Sequence, residues 1–271
     1  MKGIAVLIAC FSMGWFVSSA CAVPLYGVSY QGNVYTIDQS TGDRTLFMVD
    51  TGIQWQDATD GPTLNAFFAT ASDGSLYEID IVTKTVTAIG TYGGAAIKTL
   101  AYAESGAGVL YGSDFQNLYT IDTNTGAATL VGPIYNGVDP FLIVSSMDYD
   151  PVAERLYIVN RLGSSSILCY VNPTTGFATT VGPLAGSLPV TDIWYDRDTG
   201  KMYGMRKSTT QLYEINTANG DTTPIGTTPV GSEACPDIFG LGSVNIPEPG
   251  MLMLLGLGVL GALPTARRRR P

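Results

Sequence analysis

Residues 116–129 read QNLYTIDTNTGAAT, and this short pattern recurs along the chain. Tyr119 and Ile121 alternate with polar neighbours, as in a β-strand. Asp122 can accept hydrogen bonds from the backbone of the following turn, and Gly126 can adopt the positive φ angle of a bulged hairpin. Four more segments have this form: GNVYTIDQSTGDRT at 32–45, GSLYEIDIVTKTVT at 74–87, SILCYVNPTTGFAT at 166–179 and QLYEINTANGDTT at 211–223.

The repeat has a period of 42–50 residues, measured between its anchors Asp38, Asp80, Asp122, Asn172 and Asn216. Each anchor is preceded by a second strand-like piece, such as LYGV at 25, and four of the following strands end in Ile-Gly or Val-Gly. Several strands in a unit of this length are typical of a β-propeller blade. Lys84 replaces the turn glycine of the other units, so we expect a different turn there.

The two ends of the repeat region predict how the ring closes. An innermost strand can be proposed before each LYG-type piece, but the first unit has no room for one. The chain supplies PDIFGLGSV at 236–244, after the fifth unit. We therefore predict an all-β fold, a five-bladed β-propeller in which this C-terminal strand completes the first blade and removes open sheet edges.

The terminal segments differ from the repeats and predict three parts of the chain. Residues 1–22 combine one lysine, an apolar stretch and the small-x-small site Ala20-Cys21-Ala22, as in a secretory signal peptide with a signal helix. The propeller is predicted at 23–245. Residues 246–271 carry Pro247-Glu248-Pro249, an apolar run that we expect to form a membrane helix, and the arginines Arg267, Arg268, Arg269 and Arg270.

This tail resembles the PEP-CTERM sorting signal in the order, spacing and position of its parts. The resemblance implies an exported protein of a Gram-negative bacterium that makes extracellular polysaccharide. It also implies anchoring in the inner membrane during sorting, processing by an exosortase-type enzyme near Pro247-Glu248-Pro249, and a final place at the cell surface or outside the cell. The repeats, for their part, resemble exported propeller domains that are related to quinoprotein-like and WD-repeat propellers.

Composition and charge exclude several functions. Residues 23–249 hold 9 of the 14 basic and all 23 acidic side chains, so this part should repel nucleic acid. The chain has no histidine, which excludes a Ser-His-Asp or Cys-His nucleophile and any histidine-ligated metal. We expect no cofactor, no metal site and no catalytic residues. Cys169 and Cys235 remain after removal of the signal peptide, and either a disulfide or a buried free thiol fits them.

Carboxylates are the remaining candidates for chemistry. An alignment of the proposed inner strands places Asp57, Asp192 and Asp237 at equivalent positions, together with Thr99 and Ser146. Three acids facing the channel would suit a cation or a hydroxyl-rich ligand, whereas the alternative is that each aspartate hydrogen-bonds its neighbouring blade.

Two further features have a structural and a functional reading. The loop DRDTGK at 196–201 has the look of a calcium loop but fits a hairpin turn better. Trp55, Trp194, Phe141 and Tyr135 could form a sugar-stacking surface, although packing is the simpler reading.

Two functions fit these observations. The first is a non-catalytic propeller of the cell envelope or extracellular matrix that binds protein or carbohydrate. The second is a lyase or glycoside hydrolase that acts on exopolysaccharide with a pair of carboxylates.

Overall fold

A computed structural model shows an all-β protein, and it describes residues 24–63, 65–104, 108–137, 143–184, 190–206, 211–226 and 238–244. Within these residues, twenty strands form five four-stranded antiparallel sheets. None of the described segments contains a helix that is long and apolar enough to cross a membrane. The predicted signal helix and the predicted C-terminal membrane helix lie outside the described residues.

The first two sheets contain strands from the N-terminal part of the chain and one from its end. Blade 1 is built, from the channel outward, of β20 (Ile238–Gly242), β1 (Leu25–Ser29), β2 (Val34–Ile37) and β3 (Arg44–Met48). Blade 2 consists of β4 (Trp55–Thr63), β5 (Ala66–Ala71), β6 (Ser75–Asp80) and β7 (Thr85–Thr91).

The other three sheets each use four consecutive strands. Blade 3 consists of β8 (Thr99–Ala103), β9 (Val109–Ser113), β10 (Asn117–Ile121) and β11 (Ala128–Pro133). Blade 4 consists of β12 (Val144–Asp150), β13 (Arg155–Leu162), β14 (Ser165–Val171) and β15 (Ala178–Pro183). Blade 5 consists of β16 (Asp192–Asp196), β17 (Lys201–Met205), β18 (Leu212–Ile215) and β19 (Thr222–Ile225).

The C-terminal strand closes the ring as the sequence predicts. Strand β20 pairs antiparallel with β1, so that Leu241 lies opposite Gly27 and Gly242 opposite Tyr26. Blade 1 therefore joins both ends of the described chain in one sheet. The five-bladed propeller is confirmed.

The hydrophobic core lies between neighbouring sheets. Residues of the inner and middle strands are buried, whereas the outer strands alternate between exposed and half-buried positions. Tyr26 of blade 1, for example, stacks on Phe67 of blade 2 with ring centroids 5.5 Å apart. Because each interface buries side chains from two sheets, no blade completes its core without its neighbours.

The repeated turn has the predicted chemistry. The Asp122 carboxylate accepts the amides of Asn124 at 2.8 Å and Thr125 at 3.1 Å, and Gly126 follows with φ 75°. The anchors of the other four units accept equivalent amides. The anchors are thus turn residues. Our expectation for the second unit was wrong, because Lys84 takes the same left-handed conformation with φ 54°.

Glycines at the ends of outer strands let the strand backbone contact the backbone of the next blade directly, and we call this contact the glycine clasp. Gly90 at the end of β7 packs against the backbone of Thr125, and Gly182 at the end of β15 packs against that of Asn219. The junction of blades 1 and 2 lacks both glycines of the repeat, because β3 ends without one and Lys84 stands in the facing turn. There the Lys84 ammonium lies 4.5 Å from the centroid of the Phe47 ring. A cation–π contact thus replaces the glycine clasp.

Gly182→Ala should destabilise the propeller, because a β-carbon at this position would collide with the backbone carbonyl of Asn219. We expect a loss of about 2 kcal/mol or more in the free energy of unfolding, measured by denaturant titration.

Gly112→Ala is the matched control for this substitution. Its β-carbon would meet mainly flexible side chains, such as Ile121 Cδ1 at 2.6 Å, and Ala69 fills the equivalent position of blade 2. The control should cost about 1 kcal/mol or less. Equal losses for the two variants would contradict the clasp.

Candidate functional site

The five innermost strands surround the central channel. At one equivalent position, four of them carry a polar side chain and the fifth a glycine. The residue after this position pairs with the third residue of the LYG-type segment, as Leu100 does with Gly112 and Ile193 with Gly204. By this register the equivalent residues are Asp57, Thr99, Ser146, Asp192 and Gly240.

Four of these five residues match the alignment made from the sequence. In the first blade the register places Gly240 at this position, three residues after Asp237. Asp237 itself lies outside the described residues. Asp57 and Asp192 therefore lie at equivalent positions of blades 2 and 5. In blade 1, which lies between these two blades, Gly240 occupies the position and has no side chain.

Two of the side chains at the shared position bind the backbone of the next blade, whereas Thr99 Oγ1 has no hydrogen-bond partner among the described residues. Asp57 Oδ2 accepts the amide of Leu100 at 2.7 Å, and Ser146 Oγ accepts the amide of Ile193 at 2.9 Å. The channel-facing edge of an innermost strand has no further strand to pair with, so these amides need side-chain acceptors.

A second layer of the same contacts lies two residues further along the strands. Thr59 Oγ1 accepts the amide of Tyr102 at 3.0 Å, and a carboxyl oxygen of Asp148 accepts the amide of Tyr195. All four acceptor side chains are buried. The polar residues of the channel thus join blade 2 to blade 3 and blade 4 to blade 5.

The junction of blades 1 and 2 uses glycine instead. A β-carbon on Gly240 would collide with the backbone of Asp57 and Ala58, so the two inner strands approach at backbone distance. Since Gly240 offers no acceptor, Asp57 Oδ1 takes the amide of its own neighbour Ala58 at 2.9 Å.

Burial dominates the electrostatics of the two predicted site residues. Asp57 and Asp192 are 2% and 1% exposed, and burial raises the pKa of each carboxyl well above its usual range. The charge of Asp192 raises the pKa of Asp57 further. Ser146 donates to Asp192 Oδ1 at 2.6 Å, and this hydrogen bond and those from the amides of Ile193 and Leu241 oppose the effect of burial on the pKa of Asp192.

Asp148 lies in the same channel. Burial, followed by the charge of Asp60, raises the pKa of Asp148 to about 8. Its Oδ1 atom has no hydrogen-bond partner within the described segments. The channel therefore holds three buried carboxyl groups whose pKa values are raised by burial, that of Asp148 to about 8.

A second network crosses the channel. Asp60 of blade 2 accepts the indole nitrogen of Trp194 at 2.9 Å and the amide of Ser243 at 2.7 Å, and it pairs with the Arg197 guanidinium at 3.1 Å. Arg197 also pairs with Glu104 of blade 3. Residues of four of the five blades meet in this network.

Sequence reasoning missed the roles of Asp60 and Arg197. Arg197 belongs to the loop DRDTGK, which forms the expected hairpin turn: Asp196 Oδ1 accepts the amide of Asp198 at 3.0 Å, and Gly200 donates to the Asp196 carbonyl at 2.8 Å. The one signal in the sequence was that Arg197 is among the few basic residues of the propeller. Its partners could not be inferred, because Asp60 is remote in sequence and outside the repeat pattern.

The other residues singled out from the sequence are mostly structural. Trp55 and Trp194 are buried in the core, whereas Tyr135 is half-buried against Phe177. Phe141 lies outside the described residues. Cys169 is a buried free thiol whose pKa is raised to about 11 by burial, and Cys235 lies outside the described part.

The channel residues act as parts of the scaffold. Oxygen atoms of Asp57, Thr59, Ser146 and Asp148 accept backbone amides of the next blade, and all four side chains are buried. Within the described residues, no group of three or more His, Cys, Asp or Glu side chains is placed to hold a metal ion.

The raised pKa values predict an unusual pH dependence of stability. An aspartate of the unfolded chain titrates near about 3.9, so between about pH 4 and pH 8 the folded state keeps a proton on Asp148 that the unfolded state has released. Stability should therefore fall as pH rises through this window, by up to about 1.4 kcal/mol per pH unit for each proton. Asp57 and Asp192 shift in the same direction.

Urea titrations between pH 4.5 and pH 8.5 measure this dependence. Asp148→Asn retains an acceptor for the Tyr195 amide and should give a shallower slope, by about one proton. A stability that rises across the same interval in the unmodified protein would refute the interpretation.

Comparison with known proteins identifies the tail and supports the fold. Residues 245–270 match the family model of the PEP-CTERM protein-sorting motif. The matched residues include Pro247-Glu248-Pro249 and Arg267–Arg270. These residues lie outside the described part of the structure. The motif implies export, membrane-anchored sorting and processing by an exosortase-type enzyme. No curated protein matches the chain in sequence.

Two solved structures share the fold at low sequence identity. A chain of a nidogen/laminin complex is 9% identical with a TM-score of 0.58, and the match covers 82% of this chain and 98% of that one. A protein of unknown function from Bacteroides thetaiotaomicron is 16% identical with a TM-score of 0.52, and the match covers 83% of this chain and 65% of that one. The chain is thus a five-bladed β-propeller that carries a PEP-CTERM sorting motif.

Proposed function

We propose that the propeller is a non-catalytic binding domain of the bacterial cell envelope or extracellular matrix, and that carbohydrate or protein is its ligand. After sorting, it would be displayed at the cell surface or released. The sorting motif supports this placement, since it directs the chain out of the cytoplasm. The predicted signal peptide at 1–22 is consistent with the same route.

The non-catalytic part of the proposal rests on one observation. The channel carboxyl groups are buried and accept hydrogen bonds from the backbone of the propeller. A glycosidase needs two carboxyl groups on opposite sides of a bond, about 5–10 Å apart and open to substrate. Asp57 and Asp192 are almost fully buried, and Asp57 uses both oxygens on backbone amides. A substrate could reach them only if the blades separated.

The alternative is an enzyme that acts on exopolysaccharide, and its best support is the raised pKa of Asp192, as for a general acid. The same shift follows from burial without any catalytic role, because removal from water penalises the charged carboxylate. We therefore favour binding at the outer surface of the blades over chemistry in the channel.

Glycan-array binding of the purified exported protein tests the proposal. We expect specific binding to one class of glycan, with no release of reducing ends or unsaturated products from it.

Asp192→Asn is the control for a channel site. It should bind the same glycans with unchanged affinity, because Asp192 does not reach solvent. Cleavage of a polysaccharide that Asp192→Asn abolishes would contradict the proposal and favour the enzyme.

A further inference from the structure

Blade 4 carries a concave pocket of about 350 Å³ on its outer part. The pocket is lined by the turn between β12 and β13, the end of β14 and the start of β15. The lining side chains that can hydrogen-bond to a ligand or stack on it are Glu154, Arg155, Tyr170, Asn172, Phe177 and Thr179. A volume near the lower end of the range of small-molecule sites, about 300–1,000 Å³, suits one or two sugar rings.

Comparison with blade 5 shows how the residues of this pocket differ from those of the neighbouring blade. In blade 5, Lys201 at the start of β17 pairs with Glu214 of β18, with nitrogen and oxygen 2.8 Å apart. In blade 4 the same two positions hold Arg155 and Tyr170, and the guanidinium lies 4.5 Å from the ring centroid. A charge pair is thus replaced by a cation stacked on an aromatic ring.

The positive charge of Arg155 remains available to a ligand. No carboxylate within the described residues forms an ion pair with it, although its guanidinium hydrogen-bonds the Tyr157 side chain and the charge of Asp150 lies nearby. Asp150 is itself engaged, since its Oδ1 accepts the amides of Val152 at 2.8 Å and Ala153 at 2.9 Å. An exposed, unpaired arginine is unusual in a domain with far more acidic than basic residues.

Two more positions distinguish the pocket from the other blades. Phe177 is 41% exposed where blades 1 and 5 have Asp43 and Asp221 after the turn glycine. Glu154 has φ 51° where blade 5 has Gly200. A left-handed glutamate is strained relative to glycine, so blade 4 bears strain that places a carboxylate at the pocket.

The lining favours a ligand that combines a carboxylate with hydroxyl groups. Arg155 can bind a carboxylate through two parallel hydrogen bonds, and the faces of Tyr170 and Phe177 can stack on the C–H face of a pyranose. Thr179 and the side-chain nitrogen of Asn172 can bind hydroxyl groups. Glu154 can accept from a sugar hydroxyl, but it repels a compact polyanion such as phosphate.

We propose that the blade 4 pocket binds a carboxylated sugar residue, such as a uronic acid, within an acidic polysaccharide. This inference rests on the proposed carbohydrate-binding function and names its ligand class. Arg155 holds the carboxylate, and Tyr170 and Phe177 hold the ring. No other blade combines an arginine with two aromatic rings at these positions.

Titration calorimetry of the purified exported protein with trigalacturonate tests the proposal. We expect saturable binding, and we expect Arg155→Gln to weaken it at least about tenfold, because a charge-assisted pair contributes about 1.5–3 kcal/mol. Methyl esterification of the sugar carboxylates should weaken binding by a similar factor. Phe177→Ala should weaken binding of the acid and of its ester alike.

Lys201→Gln in blade 5 is the matched control, since it removes a cation from the equivalent position and should leave binding unchanged. Both glutamine variants are made at exposed positions, and equal thermal midpoints would show that they fold.

Three results would overturn the assignment. One is equal binding by Arg155→Gln and the unmodified protein, and another is equal binding of acid and ester. The third is Arg155-dependent binding of hexaglutamate as tight as that of the sugar, which would favour an acidic peptide. If neutral glycans bind on the array while trigalacturonate does not, this pocket assignment fails and the proposed function stands. If no glycan binds, carbohydrate recognition itself is lost.

Discussion

Every blade of this propeller presents the edge of its innermost strand to the channel, and the amides on that edge have no ladder partner. Buried amides without acceptors would cost about 1–3 kcal/mol each, and the ring repeats the problem at every blade. At the junctions of blade 2 with blade 3 and of blade 4 with blade 5, Asp57, Thr59, Ser146 and Asp148 solve it by accepting amides from the following blade. Where Gly240 offers no side chain, the strands of blades 1 and 2 touch instead.

This solution determines what the channel can do. The side chains that satisfy the amides are removed from water, so carboxyl groups among them become weak acids, as the pKa of Asp148 near 8 shows. The Asp60–Arg197 network then links residues of four blades across the channel. We therefore propose that recognition takes place at the outer surface, where one blade can differ from the others without disturbing the ring. The Arg155–Tyr170 pair of blade 4 is such a difference.

The repeat made the fold predictable from sequence. Each turn depends on one Asp or Asn and one residue with positive φ, so local chemistry marks every blade and the count follows. The closing strand could be predicted because the first unit lacks an innermost strand and the segment 236–244 follows the fifth unit. The channel position was correct at Asp57, Thr99, Ser146 and Asp192, because those strands lie at fixed distances from their repeats. It shifted by three residues in β20, where Gly240 replaces the expected polar residue.

The Asp60–Arg197 network could not be predicted, because it joins residues from blades that are not neighbours and that no periodicity relates. Amide hydrogen exchange tests the central constraint most directly. The amides of Leu100, Tyr102, Ile193 and Tyr195 should exchange only on global unfolding, as slowly as amides in the middle strands. Exchange orders of magnitude faster, as at an open sheet edge in water, would show that the side chains do not seal the ring and would contradict the account.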